Sequence, residues 1–491
     1  MTEKAIPGAL GRELPSNLST AGSQLLRNAL EHHLLERDRL AELACTLETI
    51  SGYRSGQRPE DWEISGNLAT DALLQRETSV LRKRFLLHAA EFASRTWLTP
   101  PTGSHIGFPG TDETYRYCYD RQHVAHLLER RLNAPSTRLG RIERACFLFG
   151  SGMAAINTLL QSLAYVTEPA KRRLGVFAGY FETHSLIRFS AFAEQWARLR
   201  TTDELANLVR TGEFSILFIE PVQYSWSFET LDWDYLIEAI AESADPPIIV
   251  LDTTLVGSAD SLDALLSRLI GSNCPIVVRV RSGLKLDQEG LELASVGVLE
   301  WWARPDCAAE SERLAYILET FRTISGAGLC RSAACALSAP FVFDEQRTQQ
   351  YSDGILQSNR RLFEALTPTG DIFKEAVFPS LPWNSPFVLL RLRQEEDGGY
   401  ELLAHLLMRE AQRRNLDWIM SGSFGFRTER FETILPREQI RWGERPGGVL
   451  KVCAGRYQGA RHWEIIDLLN ELSTFDSIDE AERVWARRVF V

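Results

Sequence analysis

The fold is decided by PPIIVLDTTL (246–255) and CPIVVRVRSGLKLDQEG (274–290), two short apolar runs that end in polar or glycine residues. Unbroken apolar runs of this length are typical of strands buried on both faces of a sheet. Runs of the same kind occupy 145–150, 174–180 and 215–221, and helix-like stretches separate them. Strands that alternate with helices predict an α/β fold with a mostly parallel sheet flanked by helices. In such sheets, ligands bind at the carboxyl ends of the strands.

The sequence before and after this sheet region has a different spacing of apolar residues. Residues 25–50 and 69–98 carry apolar residues at helical spacing. They predict helices packed on the main body, with partner binding or substrate gating as the alternative role. A Pro- and Gly-rich stretch at 99–113 marks a boundary, and 311–343 predicts one long helix that leads out of the sheet domain. We therefore expect three parts: an N-terminal helical extension (1–100), a large sheet domain (101–340) and a C-terminal small α+β domain (341–491).

The overall composition excludes several classes of protein. The formal net charge of −11 over 491 residues argues against nucleic acid or an anionic membrane surface as the partner. No apolar run is long enough for a signal peptide or a membrane span. The eight cysteines include no C-x-x-C pair and the nine histidines have no metal-ligand spacing, so we expect no metal site. Scattered, reduced cysteines indicate a cytoplasmic protein.

Lysine is rare in this chain, which narrows the search for a nucleophilic amine. The lysines are at positions 4, 83, 171, 285, 374 and 451. Lys285 is the one that follows a predicted buried strand. Burial of an ammonium group is costly unless the charge is paired or neutralised, and a lowered pKa makes the amine nucleophilic. The alternative is a lysine whose stem packs on the loop while its charge reaches water.

Two other strand ends complete an ordered set with Lys285. Ser151, Gly152 and Met153 lie where a strand turns into a helix, and backbone N–H groups at such a turn bind phosphate; plain packing is the alternative. Asp252 ends a strand and could pair with the protonated pyridine nitrogen of pyridoxal 5′-phosphate (PLP), or it could be an ordinary turn residue. The order of phosphate turn, aspartate and lysine is more specific than any one member, and it predicts a PLP site.

Six short segments carry a resemblance to a known family. They are SGMAAI (151–156), which matches a phosphate turn of the same sequence, GYFET (179–183) against Y-G-G-T, DTT (252–254) against D-N-T, SGLK (282–285) against S-A-T-K, YDR (119–121) against Y-S-R, and SFG (423–425) against S-L-G. On these motifs the chain, from about residue 115 to its C-terminus, resembles the Cys/Met-metabolism family of PLP enzymes. Cystathionine γ-synthase, cystathionine γ-lyase and methionine γ-lyase are members of that family.

The resemblance implies the aspartate-aminotransferase fold, called fold type I, with the large domain as the PLP-binding domain. Lys285 would hold the cofactor as a Schiff base, and Asp252 would meet its pyridine nitrogen. Tyr180, activated by nearby cationic groups, would stack on the ring and transfer protons. The implied cofactor-binding residues are Ser151, Gly152, Met153, Tyr180, Asp252, Thr254, Ser282, Lys285, Tyr119, Arg121 and Gln223.

The resemblance also implies a shared site and a place for the substrate. Tyr119 and Arg121 would reach the phosphate bound by a neighbouring subunit, so we expect a homodimer or a homotetramer. Ser423 would lie near the carboxylate of an amino-acid substrate.

Three departures from the family pattern affect the cofactor side. The family asparagine that touches the cofactor's 3′-oxygen has no clear counterpart, and Gln223 would take its place after a one-residue deletion. Leu284 replaces a threonine, which removes one hydroxyl from the phosphate site. Residues 255–275 contain an insertion between the aspartate and the lysine.

A fourth departure affects the substrate. The family motif L-R-x-S-x-G, whose arginine grips the substrate carboxylate, reads LKVCAG (450–455) here. Lysine is a point charge and cannot reproduce the two-pronged guanidinium contact. The carboxylate would therefore be held by Lys451, or by Arg456 or Arg427 in its place.

The activity implied by the resemblance is γ-replacement or γ-elimination on a homoserine-, methionine- or S-adenosylmethionine-type amino acid, in a specialised biosynthetic pathway such as natural product biosynthesis. One alternative is carbon–carbon bond-forming annulation onto a nucleotide-like acceptor. Another is a PLP-dependent aminotransferase or β-lyase. The last alternative is a homologue that binds PLP without turnover. The chain has all of Asp252, Lys285, Tyr180 and Arg121, which argues against this alternative.

Overall fold

The computed structural model of the protein describes residues 20–52, 59, 62–95, 105–107, 114–116, 125–132, 143–257, 260–368, 370–394, 396–436 and 447–487.

Two long helices precede the sheets, close to where helical periodicity places them. They are α1 (Thr20–Ser51) and α2 (Leu68–Ala93). The side chain of Asn67 caps α2 by accepting a hydrogen bond from the N–H of Thr70 (3.1 Å). An antiparallel ribbon of β1 (His105–Gly107) and β2 (Thr114–Arg116), and a short helix α3 (His126–Leu132), follow.

The central sheet lies in residues 143–303 and has seven strands in the described part of the chain. They are β3 (Glu143–Phe149), β4 (Leu174–Phe177), β5 (Trp196–Arg198), β6 (Ile216–Ile219), β7 (Ile248–Asp252), β8 (Ile276–Ser282) and β9 (Gly297–Ala303), in the spatial order β3-β9-β8-β7-β6-β4-β5. Pairing is parallel throughout except that β9 runs antiparallel to both its neighbours, β3 and β8. The predicted α/β architecture with a mostly parallel sheet is confirmed.

Helices cover both faces of this sheet. In chain order they are α4 (Gly152–Val166), α5 (Phe181–Arg188), α6 (Thr202–Arg210), α7 (Trp233–Glu242), α8 (Asp260–Ile270) and α9 (Ala308–Ser325). Side chains alternate along β6, so that Leu217 and Ile219 pack with α6, α7 and α8 while Ile216 and Phe218 pack with α4 and α9. Burial on both faces explains why the strand sequences are unbroken apolar runs.

The segment 311–343 is not one helix, and that prediction is wrong. Helix α9 ends at Ser325 because Gly326 adopts a left-handed conformation (φ 66°) at its C-terminus. A separate short helix, α10 (Arg331–Ala336), follows.

A second sheet forms in the C-terminal third. Its strands are β10 (Phe373–Val377), β11 (Val388–Leu392), β12 (Ile419–Met420), β13 (Arg430–Ile434) and β14 (Val449–Cys453), in the order β10-β11-β14-β13-β12. The accompanying helices are α11 (Glu345–Ala365), α12 (Asp397–Arg413), α13 (Ala460–Ser473) and α14 (Ile478–Arg487). The expected mixture of helices and strands is present, and the exact boundaries at 100 and 340 stay predictions.

The N-terminal helices share a core with the main body. Leu40 and Leu43 of α1 and Phe85 of α2 are buried in one cluster with Leu291 and Phe341. The expected packing of these helices on the main body is therefore observed. None of the described helices combines the length and the apolar composition that crossing a membrane requires.

Candidate active site

A cavity of about 390 Å³ opens where the carboxyl ends of the central strands face the second sheet. Strands β3, β4, β6, β7 and β8 all run in the same direction, so the residues that follow them meet at one edge. The predicted site residues that line this cavity are Ser151, Gly152, Met153, Tyr180, Asp252, Thr254, Ser282, Lys285, Ser423 and Lys451.

The start of α4 forms one wall of the cavity. The hydroxyl of Ser151 caps the helix by accepting a hydrogen bond from the N–H of Ala154 (3.1 Å). The first N–H groups of a helix have no acceptor within it, so those of Gly152 and Met153 are available to an anion. A Cβ on Gly152 would lie 3.3 Å from the Cβ of Ser282, and this closeness brings the helix start to the end of β8.

Asp252 lies at the end of β7 with its carboxylate buried. One oxygen accepts a hydrogen bond from the N–H of Thr254 (3.0 Å), and the hydroxyl of Thr254 accepts one from the N–H of Ser282 (3.0 Å). Burial raises the pKa of Asp252, opposed by the contacts with Thr254 and by the charge of Lys285. Among the described residues Asp252 has no ion-pair partner within 4.0 Å.

The amine of Lys285 points into the same cavity. It lies 4.1 Å from the centre of the Phe424 ring. Burial lowers the pKa of Lys285 to about 8, while the charge of Asp252 opposes the shift. A larger neutral fraction near neutral pH makes this amine a better nucleophile and base than an exposed lysine.

A buried network holds the loop that carries Lys285. Arg281, just before the loop 282–286, donates to Asp287, just after it (2.8 Å). Arg281 also donates to Glu300 of β9 (2.6 Å), which anchors the loop to the sheet. The side-chain amide of Gln288 donates to the carbonyl of Gly283 (2.9 Å). These loop-holding residues were not predicted, although the polar DQEG segment after the lysine was a visible signal.

Tyr180 lies at the start of α5 and donates its hydroxyl hydrogen bond to Glu182 (2.8 Å). Its ring meets that of Tyr224 edge to face at 5.5 Å. Burial raises the pKa of Tyr180, and the hydrogen bond to Glu182 raises it further. The charged residues that act on this pKa are Glu182 and Asp252, and both raise it. Activation of Tyr180 by cationic groups, which the resemblance implies, stays a prediction.

Glu220 is a cavity residue that the sequence analysis did not select. Its carboxylate accepts hydrogen bonds from the N–H groups of Gly179 (2.9 Å), Tyr180 (3.1 Å) and Tyr224 (2.8 Å). Burial, and then the charge of Asp252, raises the pKa of Glu220 to about 7. One carboxylate thus fixes the segments after β4 and β6, which carry two of the aromatic walls.

Gln223 is buried but is not among the residues that line the cavity. Val222 and Tyr224 line it instead. Side chains alternate along an extended chain, so the residue between two inward-facing neighbours points away.

Lys451 of β14 lines the cavity and forms an ion pair with Glu432. The two residues are directly opposite each other on the antiparallel strands β13 and β14. The ammonium also lies 3.5 Å from the hydroxyl of Tyr224. Burial alone would lower the pKa of Lys451, but Tyr224, Cys453 and Glu432 together raise it.

The two arginines considered for the substrate carboxylate lie elsewhere. Arg427 is paired with Glu36 of α1 (3.0 Å). Arg456 lies over the rings of Tyr351 (5.3 Å) and Tyr457 (4.9 Å). Neither arginine is among the residues that line the cavity.

Two other predicted positions lie outside the described part of the chain. They are Tyr119 and Arg121.

Solved structures of known proteins match this architecture. A methionine γ-lyase from Micromonospora echinospora, in its apo form, is 16% identical with a TM-score of 0.50, covering 79% of this chain and 98% of its own. A cystathionine γ-synthase from Xanthomonas oryzae pv. oryzae, in complex with aminoacrylate and cysteine, is 17% identical with a TM-score of 0.50, covering 80% and 98%. MetB from Corynebacterium glutamicum is 14% identical with a TM-score of 0.52, covering 78% and 98%.

This chain has their fold. The architecture implied by the sequence motifs is thereby confirmed. No protein-family model matches the sequence, and no curated protein does either.

Proposed function

We propose that the protein is an enzyme that binds PLP and uses it to process an amino acid by γ-replacement or γ-elimination. The observation that carries the proposal is the meeting of three groups at one cavity: the start of α4, the carboxylate of Asp252 and the amine of Lys285. They come from three strand ends that are far apart in sequence. Together they would contact the cofactor's phosphate, its pyridine nitrogen and the carbon that forms the Schiff base. The fold shared with a methionine γ-lyase and a cystathionine γ-synthase supports the γ-chemistry.

The residues present fit this cofactor. The N–H groups of Gly152 and Met153, with the hydroxyl of Ser282, would receive its phosphate. The hydroxyl of Thr254 contacts the carboxylate of Asp252 and would hold it in place. A protonated pyridine nitrogen would supply the buried carboxylate of Asp252 with the positive partner that it lacks among the described residues. When bound, the cofactor supplies an electron sink for a negative charge that develops at Cα of the substrate.

The chain's own groups then move protons and position the substrate. Lys285 Nζ would remove the proton at Cα of the substrate. The ring of Tyr180 lines the cavity, and its hydroxyl, which donates to Glu182, would serve a second proton transfer. Lys451 is the one of the three candidate cations that lines the cavity, so we assign the substrate carboxylate to it.

Within this class we propose a homoserine-, methionine- or S-adenosylmethionine-type substrate and a specialised biosynthetic pathway. The replacement of the family's arginine by Lys451, paired with Glu432, supports a substrate site that differs from that of general sulfur metabolism. We also propose a homodimer or homotetramer, on the resemblance at Tyr119 and Arg121.

The first test uses the purified protein with PLP. Borohydride reduction should trap a covalent adduct that mass spectrometry locates on Lys285, because its amine lines the cavity and burial lowers its pKa. Lys285→Ala should lose the adduct, and Lys171→Ala, which changes an exposed lysine, should keep it. An adduct that survives Lys285→Ala would refute the assignment.

The reaction type is tested by deuterium incorporation from heavy water into candidate amino acids. We expect exchange at Cα and Cβ of a reactive substrate, since γ-chemistry requires proton loss at both carbons. Exchange confined to Cα would rule out γ-replacement and γ-elimination.

A further inference from the structure

The charges that line the cavity are unequal in number. Its carboxylates are Glu182, Glu220, Asp252 and Glu432, and its cations are Lys285, Lys451 and Arg281. Arg281 is already paired with Asp287 and Glu300, which do not line the cavity. Carboxylates therefore outnumber cations on the cavity wall.

Three of the four carboxylates contact, or are proposed to contact, a group other than the substrate. Asp252 faces the proposed pyridine nitrogen, and Glu220 is held by three backbone N–H groups. Glu182 accepts the hydroxyl of Tyr180. Glu432 is different, because its partner is Lys451, the cation that we assign to the substrate carboxylate.

Glu432 and the substrate carboxylate therefore compete for one cation. The side chain of Lys451 is 2% exposed, so it has little freedom to leave the pair, whereas that of Glu432 is 32% exposed and can turn toward the cavity. A substrate carboxylate that takes Lys451 leaves Glu432 without its partner. Glu432 is only partly buried, so water offsets part of this loss, and a second positive charge would offset the rest.

The walls around this position suit a positive charge. The rings of Tyr180, Phe181, Tyr224 and Phe424 line the same cavity, and the hydroxyl of Tyr224 lies 3.5 Å from the ammonium of Lys451, the partner of Glu432. Aromatic faces attract cations, and onium groups are a recognised case. A ligand with a cationic side chain would thus gain from both the rings and the displaced Glu432.

We propose that the substrate is an α-amino acid whose side chain carries a positive charge, either a sulfonium or an ammonium group, and that Glu432 selects it. The inference rests on the proposed function for the role of Lys451. In the bound state the ion pair is exchanged: Lys451 holds the substrate carboxylate and Glu432 faces the side-chain cation. Neutral amino acids of the same shape leave Glu432 unpaired and bind more weakly.

The test compares two ligands that differ by one methyl group and one charge. They are γ-(methylthio)butyrate and its S-methyl sulfonium, which lack an α-amino group and cannot react with the cofactor. Calorimetric titration of the PLP-loaded protein should show the sulfonium binding about tenfold more tightly, a difference of about 1.4 kcal/mol. In Glu432→Gln the preference should fall to about threefold or less, and the neutral ligand should bind more tightly than in wild type because Lys451 is released.

The matched control is Glu375→Gln, on the edge strand β10 of the same sheet. Glu375 is paired with Arg391 and does not line the cavity, so this variant should keep the tenfold preference. Equal binding of the two ligands to wild type, or a preference that Glu432→Gln leaves unchanged, would overturn the proposal. If the protein did not use PLP at all, the borohydride test would show no adduct on Lys285. The binding of these two ligands does not depend on that adduct, so the two failures can be told apart.

Discussion

At the level of single residues, the amine of Lys285 is controlled by its burial and by one carboxylate. Burial lowers its pKa to about 8, and the charge of Asp252 acts in the opposite direction. The two effects are separable because a neutral replacement of Asp252 removes only the second.

We expect the reactivity of Lys285 in the cofactor-free protein to rise with pH, with a midpoint near 8, because the neutral amine is the reactive form. In Asp252→Asn the midpoint should move to lower pH, since a carboxylate that favours the ammonium form has been removed. Mass spectrometry after a short pulse of a neutral acylating reagent measures this, with the exposed Lys171 as the internal reference for the reagent. A midpoint that stays in place in Asp252→Asn would show that the two groups do not interact.

At the level of elements, Glu220 joins the segments that follow β4 and β6. Its two oxygens accept three backbone hydrogen bonds, from Gly179, Tyr180 and Tyr224. None of these three residues lies in a strand or a helix, although Tyr180 directly precedes α5. The carboxylate therefore replaces the hydrogen bonds that regular structure would supply.

Glu220→Gln should lower the free energy of unfolding by about 2 kcal/mol, because an amide nitrogen cannot accept and leaves at least one buried N–H unpaired. Denaturant unfolding measures the loss, and substrate affinity should fall with it since Tyr180 and Tyr224 move. The control is Glu242→Gln, which breaks an exposed pair with Arg210 and should have little effect on stability. Equal effects of the two substitutions would contradict the role given to Glu220.

At the level of the whole molecule, the N-terminal helices are tied to the loop that carries Lys285. Glu36 of α1 is paired with Arg427, whose guanidinium also donates to the carbonyl of Glu289 (3.2 Å). Arg39 of α1 pairs with the carboxylate of Glu289. Burial raises the pKa of Glu36, opposed by the charges of Arg427, Arg456 and Arg39.

Glu36→Leu should destabilise the protein by about 3 kcal/mol, because it leaves the buried guanidinium of Arg427 without its partner. The double variant Glu36→Leu/Arg427→Met should recover most of that loss, since an apolar pair needs no compensation. Asp38→Asn, which removes an exposed pair with Arg37, is the control and should have little effect. An additive double variant would mean that the two side chains contribute independently.

The amino-acid sequence alone determined the local features of this protein. Strands β3, β4, β6, β7 and β8 were predicted because burial on both faces of a sheet demands unbroken apolar runs. Asp252 and Lys285 were predicted as site residues because parallel strands bring their carboxyl ends to one edge whatever the loops between them do. The end of α9 was missed, since its stop at Gly326 depends on a single left-handed residue within an otherwise periodic stretch.

Only the tertiary structure decided which charges meet. Arg427 resembles a substrate-binding cation in the sequence, but Glu36 lies 391 positions away and neutralises it. Lys451 meets Glu432 because β13 and β14 are neighbours in the second sheet, and Glu220 meets three backbone N–H groups because β4 and β6 are neighbours in the first. Coulomb and hydrogen-bond energies depend on distance in space, which the order of residues along the chain does not specify.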